Sequence, residues 1–103
     1  MPITSRTCLE VRRDVHARLF QEELVVLDVR LGDYFSLDVV GAKVWGALAD
    51  GQPAGLVAEV LAAEYDIDVQ TVTTDVLTFA EELVRRGLMT VRIDELARST
   101  HAR

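Results

Sequence analysis

Apolar and polar residues alternate along the first third of the chain, as they do in strands that bury one face. The pattern predicts strands over residues 15–20, 24–31 and 34–37. Gly32, followed by Asp33, supplies the positive φ of a hairpin turn between the last two. The third strand is short, and we expect it at an edge of the sheet.

The alternation also predicts which residues face the core. In the second strand, Asp28 and Arg30 mark one face as solvated. In the third strand, Phe35 and Leu37 are the apolar pair and should pack inward. On this interpretation the buried residues of the second strand are Val25, Leu27, Val29 and Leu31.

From Asp38 onward the apolar residues recur at intervals of three and four, which is the spacing of helices. The pattern predicts helices over about residues 38–49, 54–65 and 69–86, with Asp38 as the first N-cap and Gly87 ending the third helix. The third helix has the clearest apolar stripe, which consists of Val69, Val72, Val76, Phe79, Ala80, Leu83 and Val84.

This element order predicts an α+β fold in which a three-stranded N-terminal antiparallel sheet is followed by three helices. The winged-helix plan is the nearest common architecture. We assign residues 15–93 to one domain. Residues 1–14 and 94–103 are polar and mixed in charge, so we interpret them as a flexible N-terminal arm and a flexible C-terminal tail.

Composition narrows the classes of function. The net charge of −6 and the scattered Lys and Arg residues disfavour nucleic acid as a partner. The single cysteine, Cys8, excludes an intramolecular disulfide and suits a reducing compartment. The sequence shows no signal peptide, no lipidation motif and no apolar run near the length of a membrane span. We therefore expect a cytoplasmic protein with no membrane partner.

Candidate catalytic and metal-binding residues are sparse. Cys8, His16 and His101 lack the short paired spacing of a metal site. No glycine-rich phosphate loop follows a strand, and Cys8 has no evident base beside it. We expect no metal, no cofactor and no enzymatic activity.

The third strand is the best candidate for binding. An edge strand leaves backbone N–H and C=O groups unpaired, and native edges are usually protected by charge or proline. Residues 34–37 contain neither, although Asp33 and Asp38 flank them. Such an edge can pair with an extended peptide. Alternatively, the third helix or a second subunit covers it, and these residues alone leave the choice open.

Three segments resemble the PqqD-like family, whose members are also called recognition elements for the precursors of ribosomally synthesised, modified peptides. They are LVVLDVRLGDYFSLDVVGAKVW at 24–45, EVLAAEYDIDVQTV at 59–72 and DVLTFAEELVRRGL at 75–88. Each segment is a weak pattern, but their succession is more specific. The first segment is more similar to the free-standing members of lasso-peptide systems than to those of pyrroloquinoline quinone biosynthesis.

The resemblance implies a non-catalytic, winged-helix-like domain. In this family the leader of a precursor peptide docks as an added strand against the third strand, beside the third helix, and is presented to a leader peptidase or a radical SAM enzyme. Carried onto this chain, the strand side of the site is Tyr34, Phe35, Ser36 and Leu37, and the helix side is Val72, Asp75, Val76, Phe79 and Leu83.

Some alternatives stay open at this point. For Val76 and Phe79, a pure core role competes with peptide contact, whereas Trp45 is interpreted as core. A winged-helix transcription regulator that binds DNA is the second candidate function. A homodimer that uses the exposed edge for self-association is the third.

Overall fold

The computed structural model describes residues 3–92, and they form the predicted α+β fold with one addition. A three-stranded antiparallel sheet is followed by three helices, and a second sheet pairs the first and last strands of the described chain. The elements are β1 (Leu9–Val11), β2 (Val15–Phe20), β3 (Glu23–Asp28), β4 (Asp33–Leu37), α1 (Val39–Ala49), α2 (Ala54–Tyr65), α3 (Val69–Arg85) and β5 (Met89–Val91).

Two tight turns build the three-stranded sheet, whose strand order is β2-β3-β4. Gln21 adopts a φ of 53° between β2 and β3, and Gly32 adopts a φ of 74° between β3 and β4. The left-handed conformation at Gly32 is the one that the sequence predicts, because glycine reaches it without a Cβ clash. β4 lies at the edge of this sheet, as expected from its length.

The prediction of which alternate residues of β3 face the core, which we call the parity of the strand, is wrong. Val26 and Asp28 are both only 1% exposed, whereas Leu27 is 40% exposed. Leu24 shares their parity and packs against the core. Of the four residues expected inside, Leu27, Val29 and Leu31 are exposed and Val25 is half-buried. In β4, the expected parity is correct, because Phe35 and Leu37 pack against the core.

The inward position of Asp28 depends on an ion pair with Arg30, whose side chain is 34% exposed. Asp28 Oδ1 accepts hydrogen bonds from Arg30 N and Nε, each at 3.1 Å, and Oδ2 accepts one from Nη2 at 2.9 Å. Arg30 Nη2 also donates to the carbonyl of Gly87 at 3.3 Å, which ties the β3–β4 hairpin to the end of α3. The hydrogen bonds from Arg30 lower the pKa of Asp28, against the opposing effect of burial.

The helix ends confirm the caps predicted at Asp38 and Gly87, and Asp68 caps the start of α3. Asp38 Oδ1 accepts from Gly41 N at 2.8 Å at the start of α1, and Asp68 Oδ2 accepts from Thr71 N at 3.1 Å at the start of α3. Gly87 follows α3 with a φ of 75°. These bonds satisfy backbone donors that have no partner within the helix.

The flexible arm predicted for residues 1–14 is not what the structure shows over residues 3–14. β1 pairs with β5, with Leu9 opposite Val91, and Leu9 is fully buried. The carbonyls of Ser5 and Thr7 accept hydrogen bonds from Gly55 N at 2.8 Å and Ala54 N at 2.9 Å. The arm thus supplies the acceptors for the first turn of α2, where Pro53 offers no side-chain cap. The tail predicted for residues 94–103 lies outside the described residues.

The core lies between the inner face of the sheet and the three helices. Trp45 is 4% exposed, which confirms its interpretation as a core residue. None of the helices within residues 3–92 is long and apolar enough to cross a membrane. The other buried apolar residues are Ile3, Leu9, Val15, Val26, Val44, Leu48, Ala54, Val57, Ala58, Ala62, Val72, Val76, Ala80, Leu83, Leu88 and Met89.

A first prediction tests the packed arm. The Leu9→Ala substitution should lower the free energy of unfolding by about 2–5 kcal/mol, because it opens a cavity in the core. Leu19→Ala is the matched control: Leu19 is 67% exposed, so its truncation should change stability by at most about 0.5 kcal/mol. Urea unfolding followed by circular dichroism measures both. Equal, small effects would show that the arm is loosely attached.

A second prediction concerns Asp28 and acid. Because the pKa of Asp28 is lower in the folded state, its contribution to stability is complete above the usual aspartate pKa of about 3.9 and is lost as pH falls toward the folded value. Asp28→Asn should therefore destabilise the protein at pH 7, and the difference from the unsubstituted protein should shrink at pH 3. Thermal unfolding across this pH range measures the effect. Asp33→Asn, at an exposed residue of the same hairpin, is the matched control and should change stability at pH 7 by at most about 0.5 kcal/mol.

Candidate functional site

The register of the three-stranded sheet shows whether each residue of β3 forms its backbone hydrogen bonds with β2 or with β4. Val29 N donates to the carbonyl of Asp14 at 2.9 Å, which extends the β2–β3 pairing by one step. In an antiparallel ladder, successive residues bond to alternate sides. The odd-numbered residues of β3 therefore bond β2. The even-numbered residues, namely Leu24, Val26 and Asp28, bond β4.

The same alternation identifies the unpaired backbone groups of β4. The residues opposite the even-numbered positions of β3 are Asp33, Phe35 and Leu37, so these bond inward to β3. Tyr34 and Ser36 lie between them and direct their N–H and C=O groups to the open edge. Both residues are exposed, and Tyr34 is 70% exposed. The edge thus offers donors and acceptors at the spacing of an antiparallel or parallel partner strand.

A cavity of about 190 Å³ lies between this edge strand and the C-terminal half of α3. Five of the predicted site residues line it, namely Phe35, Ser36, Leu37, Phe79 and Leu83. Trp45 and Val26 also line it, so the inner part of its wall is the core itself. The remaining lining residues are Glu82, Arg86 and Leu88.

A second cavity, of about 320 Å³, lies beside the N-terminal half of α3, where that helix meets α1 and α2. Four predicted site residues line it, namely Val72, Asp75, Val76 and Phe79. The others are Val40, Gly41, Val44, Leu61, Tyr65 and Ile67. Because Phe79 lines both cavities, the two form neighbouring parts of one concave surface along α3, which we call the α3 groove.

The structure therefore brings together eight of the nine predicted site residues around the α3 groove. Tyr34 lines neither cavity and is 70% exposed. Val72, Val76 and Leu83 are buried and form walls, whereas Phe79 is half-buried and Asp75 is exposed. Phe79 is thus both a core contact and a groove residue.

Two charged residues that line the groove, Glu82 and Arg86, are not among the predicted site residues. The guanidinium carbon of Arg86 lies 4.9 Å from the centroid of the Phe35 ring, and Arg86 Nε bonds Glu82 Oε2 at 2.5 Å. The spacing of Glu82 and Arg86 at i,i+4 indicates an ordinary helix-surface pair. Contact with Phe35 depends on how the hairpin is placed against α3, for which the sequence carries no local signal.

These features suit recognition of an extended peptide. Free backbone groups lie at one edge, and apolar cavities lie next to them, so an added strand would be held by main-chain hydrogen bonds and by its side chains. Among residues 3–92, no group of three or more His, Cys, Asp or Glu residues is arranged to hold a metal ion.

The sequence matches the family described as Coenzyme PQQ synthesis protein D (PqqD) over residues 23–89. The matched range begins at the start of β3 and ends at the start of β5, so it contains β4 and all of α3. No curated protein is significantly similar to the chain in sequence.

Two solved structures are similar to this fold. One is TbiB1 in complex with the TbiA(beta) leader peptide, which is 30% identical, with a TM-score of 0.73 over 78% of this chain and 93% of that chain. The other is lasso peptide synthetase B1 complexed with the leader peptide, which is 24% identical, with a TM-score of 0.75 over 80% of this chain and 96% of that chain. At 24% identity, the second likeness shows the fold alone.

A third prediction tests the assignment of the open edge. In the isolated protein, the amides of Tyr34 and Ser36 should exchange with deuterium rapidly, whereas those of Phe35 and Leu37 should be protected by their bonds to β3. Residue-resolved NMR exchange measures this alternation. Protection of all four amides would show that the edge is already covered, and the reverse alternation would show that the register assignment is wrong.

Proposed function

The chain belongs to the PqqD family, and we propose that it binds the leader of a ribosomally synthesised precursor peptide by strand addition to β4. We propose further that the precursor is a lasso peptide. The open edge at Tyr34 and Ser36 is the observation that carries this proposal. The 30% identity to TbiB1, which was solved with a leader peptide, supports the same ligand class.

Main-chain pairing would supply a large part of the affinity. An added strand lies about 4.8 Å from β4 and exchanges hydrogen bonds with Tyr34 and Ser36. These bonds recognise any extended peptide, so they do not by themselves select a sequence. Asp33 and Asp38 flank the edge and are both exposed, which limits pairing with unrelated strands.

Selection among peptides would come from the α3 groove. Side chains alternate along an added strand, so every second one faces the side of the sheet on which α3 packs. The two cavities can take such side chains in succession, with Phe79 between them. The proposed peptide-binding residues are Tyr34 and Ser36 through their backbones, and Phe35, Leu37, Val72, Asp75, Val76, Phe79 and Leu83 through the groove.

In this proposal the protein is not itself an enzyme. It holds the leader while a separate enzyme acts on the precursor. For a lasso-peptide system that enzyme is a leader peptidase. A radical SAM enzyme is the corresponding partner if the chain serves pyrroloquinoline quinone biosynthesis, which is the process named in the description of the family.

The DNA-binding alternative is disfavoured by charge. On α3, Asp75, Glu81 and Glu82 outnumber Arg85, and only Arg86 follows at the helix end. The whole chain carries a net charge of −6. Phosphate contacts supply most of the affinity for duplex DNA, so a helix of this composition is a poor recognition helix. A homodimer through the β4 edge would compete with the peptide, and light scattering with and without peptide distinguishes the two occupants.

A fourth prediction tests strand addition. Ser36→Pro removes an N–H that faces the open edge and leaves the β3–β4 ladder intact, because Ser36 does not bond β3. It should weaken binding of the cognate leader at least tenfold, as measured by fluorescence polarisation with a labelled leader peptide. Ser36→Ala, which keeps the N–H, should bind within about twofold of the unsubstituted protein.

The thermal midpoint of each variant controls for folding. Normal leader binding by a folded Ser36→Pro variant would show that the peptide does not pair with β4 at this residue. As a second readout, saturating leader should slow the amide exchange of Tyr34 and Ser36.

A further inference from the structure

We infer that Arg86 is a specificity residue of the α3 groove and selects peptides with an acidic side chain where the added strand passes the C-terminal end of α3. This inference rests on the proposed function, since it needs a strand paired with β4. It adds that one side chain of that strand is acidic. Neither the family match nor the free edge of β4 defines this property.

The position of the guanidinium supports this role. Arg86 lines the smaller cavity together with Phe35 and Ser36, so its charge lies beside the edge strand and not on a remote helix face. Its carbon Cζ lies 4.9 Å from the centroid of the Phe35 ring. Stacking on an aromatic ring holds a guanidinium plane in place at little cost in hydration.

The bonding of the side chain leaves part of it available. Arg86 uses Nε to bond Glu82, and within residues 3–92 the structure shows no hydrogen bond from either of its Nη atoms. The side chain is 48% exposed, so a ligand can reach it. A planar guanidinium with free Nη donors suits a carboxylate.

Local charge also favours an acidic ligand at this place. Glu82 is shared, since Arg85 bonds its Oε1 and Arg86 bonds its Oε2. One carboxylate is therefore shared between two guanidinium groups, so Glu82 balances the charge of Arg86 only in part. The other end is lined almost entirely by apolar residues, with Asp75 as its acidic member.

The charge of the whole protein makes the expected preference unusual. At a net charge of −6, the chain repels acidic peptides at long range. A general preference for acidic peptides is therefore not expected. A preference confined to one position of the bound strand requires a local cation, and Arg86 is the one whose guanidinium stacks on a residue of β4.

The test is a selection that needs no knowledge of the natural precursor. A library of random 12-residue peptides is displayed and selected for binding to the intact protein, and only peptides that lose binding to the Ser36→Pro variant are analysed. We expect Asp or Glu to be enriched at one position of the aligned binders. In a synthetic binder, replacing that residue with Gln or Asn should weaken binding about threefold, the size of a partly exposed ion pair.

Substitutions of Arg86 separate a charge contact from packing. In Arg86→Gln the acidic peptide and its amide counterpart should bind equally. In Arg86→Glu the preference should reverse to Lys or Arg at the same position, a change that loss of packing cannot produce. Arg85→Gln is the matched control, because Arg85 shares Glu82 but does not line the groove, and it should leave the preference for the acidic peptide unchanged.

The outcomes distinguish this inference from the proposed function. Peptides that depend on Ser36 but show no acidic position would overturn the role of Arg86 and leave strand addition intact. An acidic position that persists in Arg86→Gln would also overturn it. Failure to select any peptide that depends on Ser36 would overturn both. Thermal unfolding of each variant confirms that it is folded.

Discussion

The ion pair between the buried Asp28 and Arg30 determines how the β3–β4 hairpin meets the helices. A carboxylate inside a core is stable only when its oxygens are bonded, and here Arg30 bonds both of them. The same guanidinium reaches the carbonyl of Gly87 at the end of α3. Because Asp28 faces inward, Val26 and Leu24 of β3 also face inward. Phe35 and Leu37, which lie opposite them in β4, pack against the same core.

The open edge and the groove are two results of this one placement. The parity that directs Phe35 and Leu37 to the core also directs their backbone groups to β3, which leaves those of Tyr34 and Ser36 for a further strand. The groove wall is formed in turn by residues that belong to the core, such as Val76 and Leu83. A single apolar surface therefore stabilises the fold and lines the site, so core and binding roles of these residues are not exclusive.

The eight predicted residues that line the groove were named from the family resemblance. The order of β2 to β4 and the three helices, the helix caps and the edge position of β4 were predictable from the sequence itself. Each of these depends on local periodicity or on one residue type, such as glycine at Gly32. The parity of β3 was not predictable in this way, since a lone Asp in a strand normally indicates solvent. Only its ion pair with Arg30, and the distant carbonyl of Gly87, make it an inward residue.

Two further features depend on contacts between distant parts of the chain. Residues 3–14 look polar and irregular, but their carbonyls and Leu9 find partners on α2 and β5 that lie about 50 to 80 residues away. Arg86 has the spacing of an ordinary surface pair with Glu82, and its contact with Phe35 appears only when α3 is set beside β4. Long-range contacts of this kind leave no periodic trace in a single sequence.

The pairing of β1 with β5 affects how the fold binds an added strand. Peeling away either of these strands, which contact α1 and α3, would expose Leu9 and Met89, both fully buried. The helical side of the α3 groove therefore does not open by fraying of β1 or β5. The vacant edge is already present in the closed fold. The conformational entropy lost on binding is therefore mainly that of the peptide. A peptide that is already extended in solution loses less entropy and should bind more tightly.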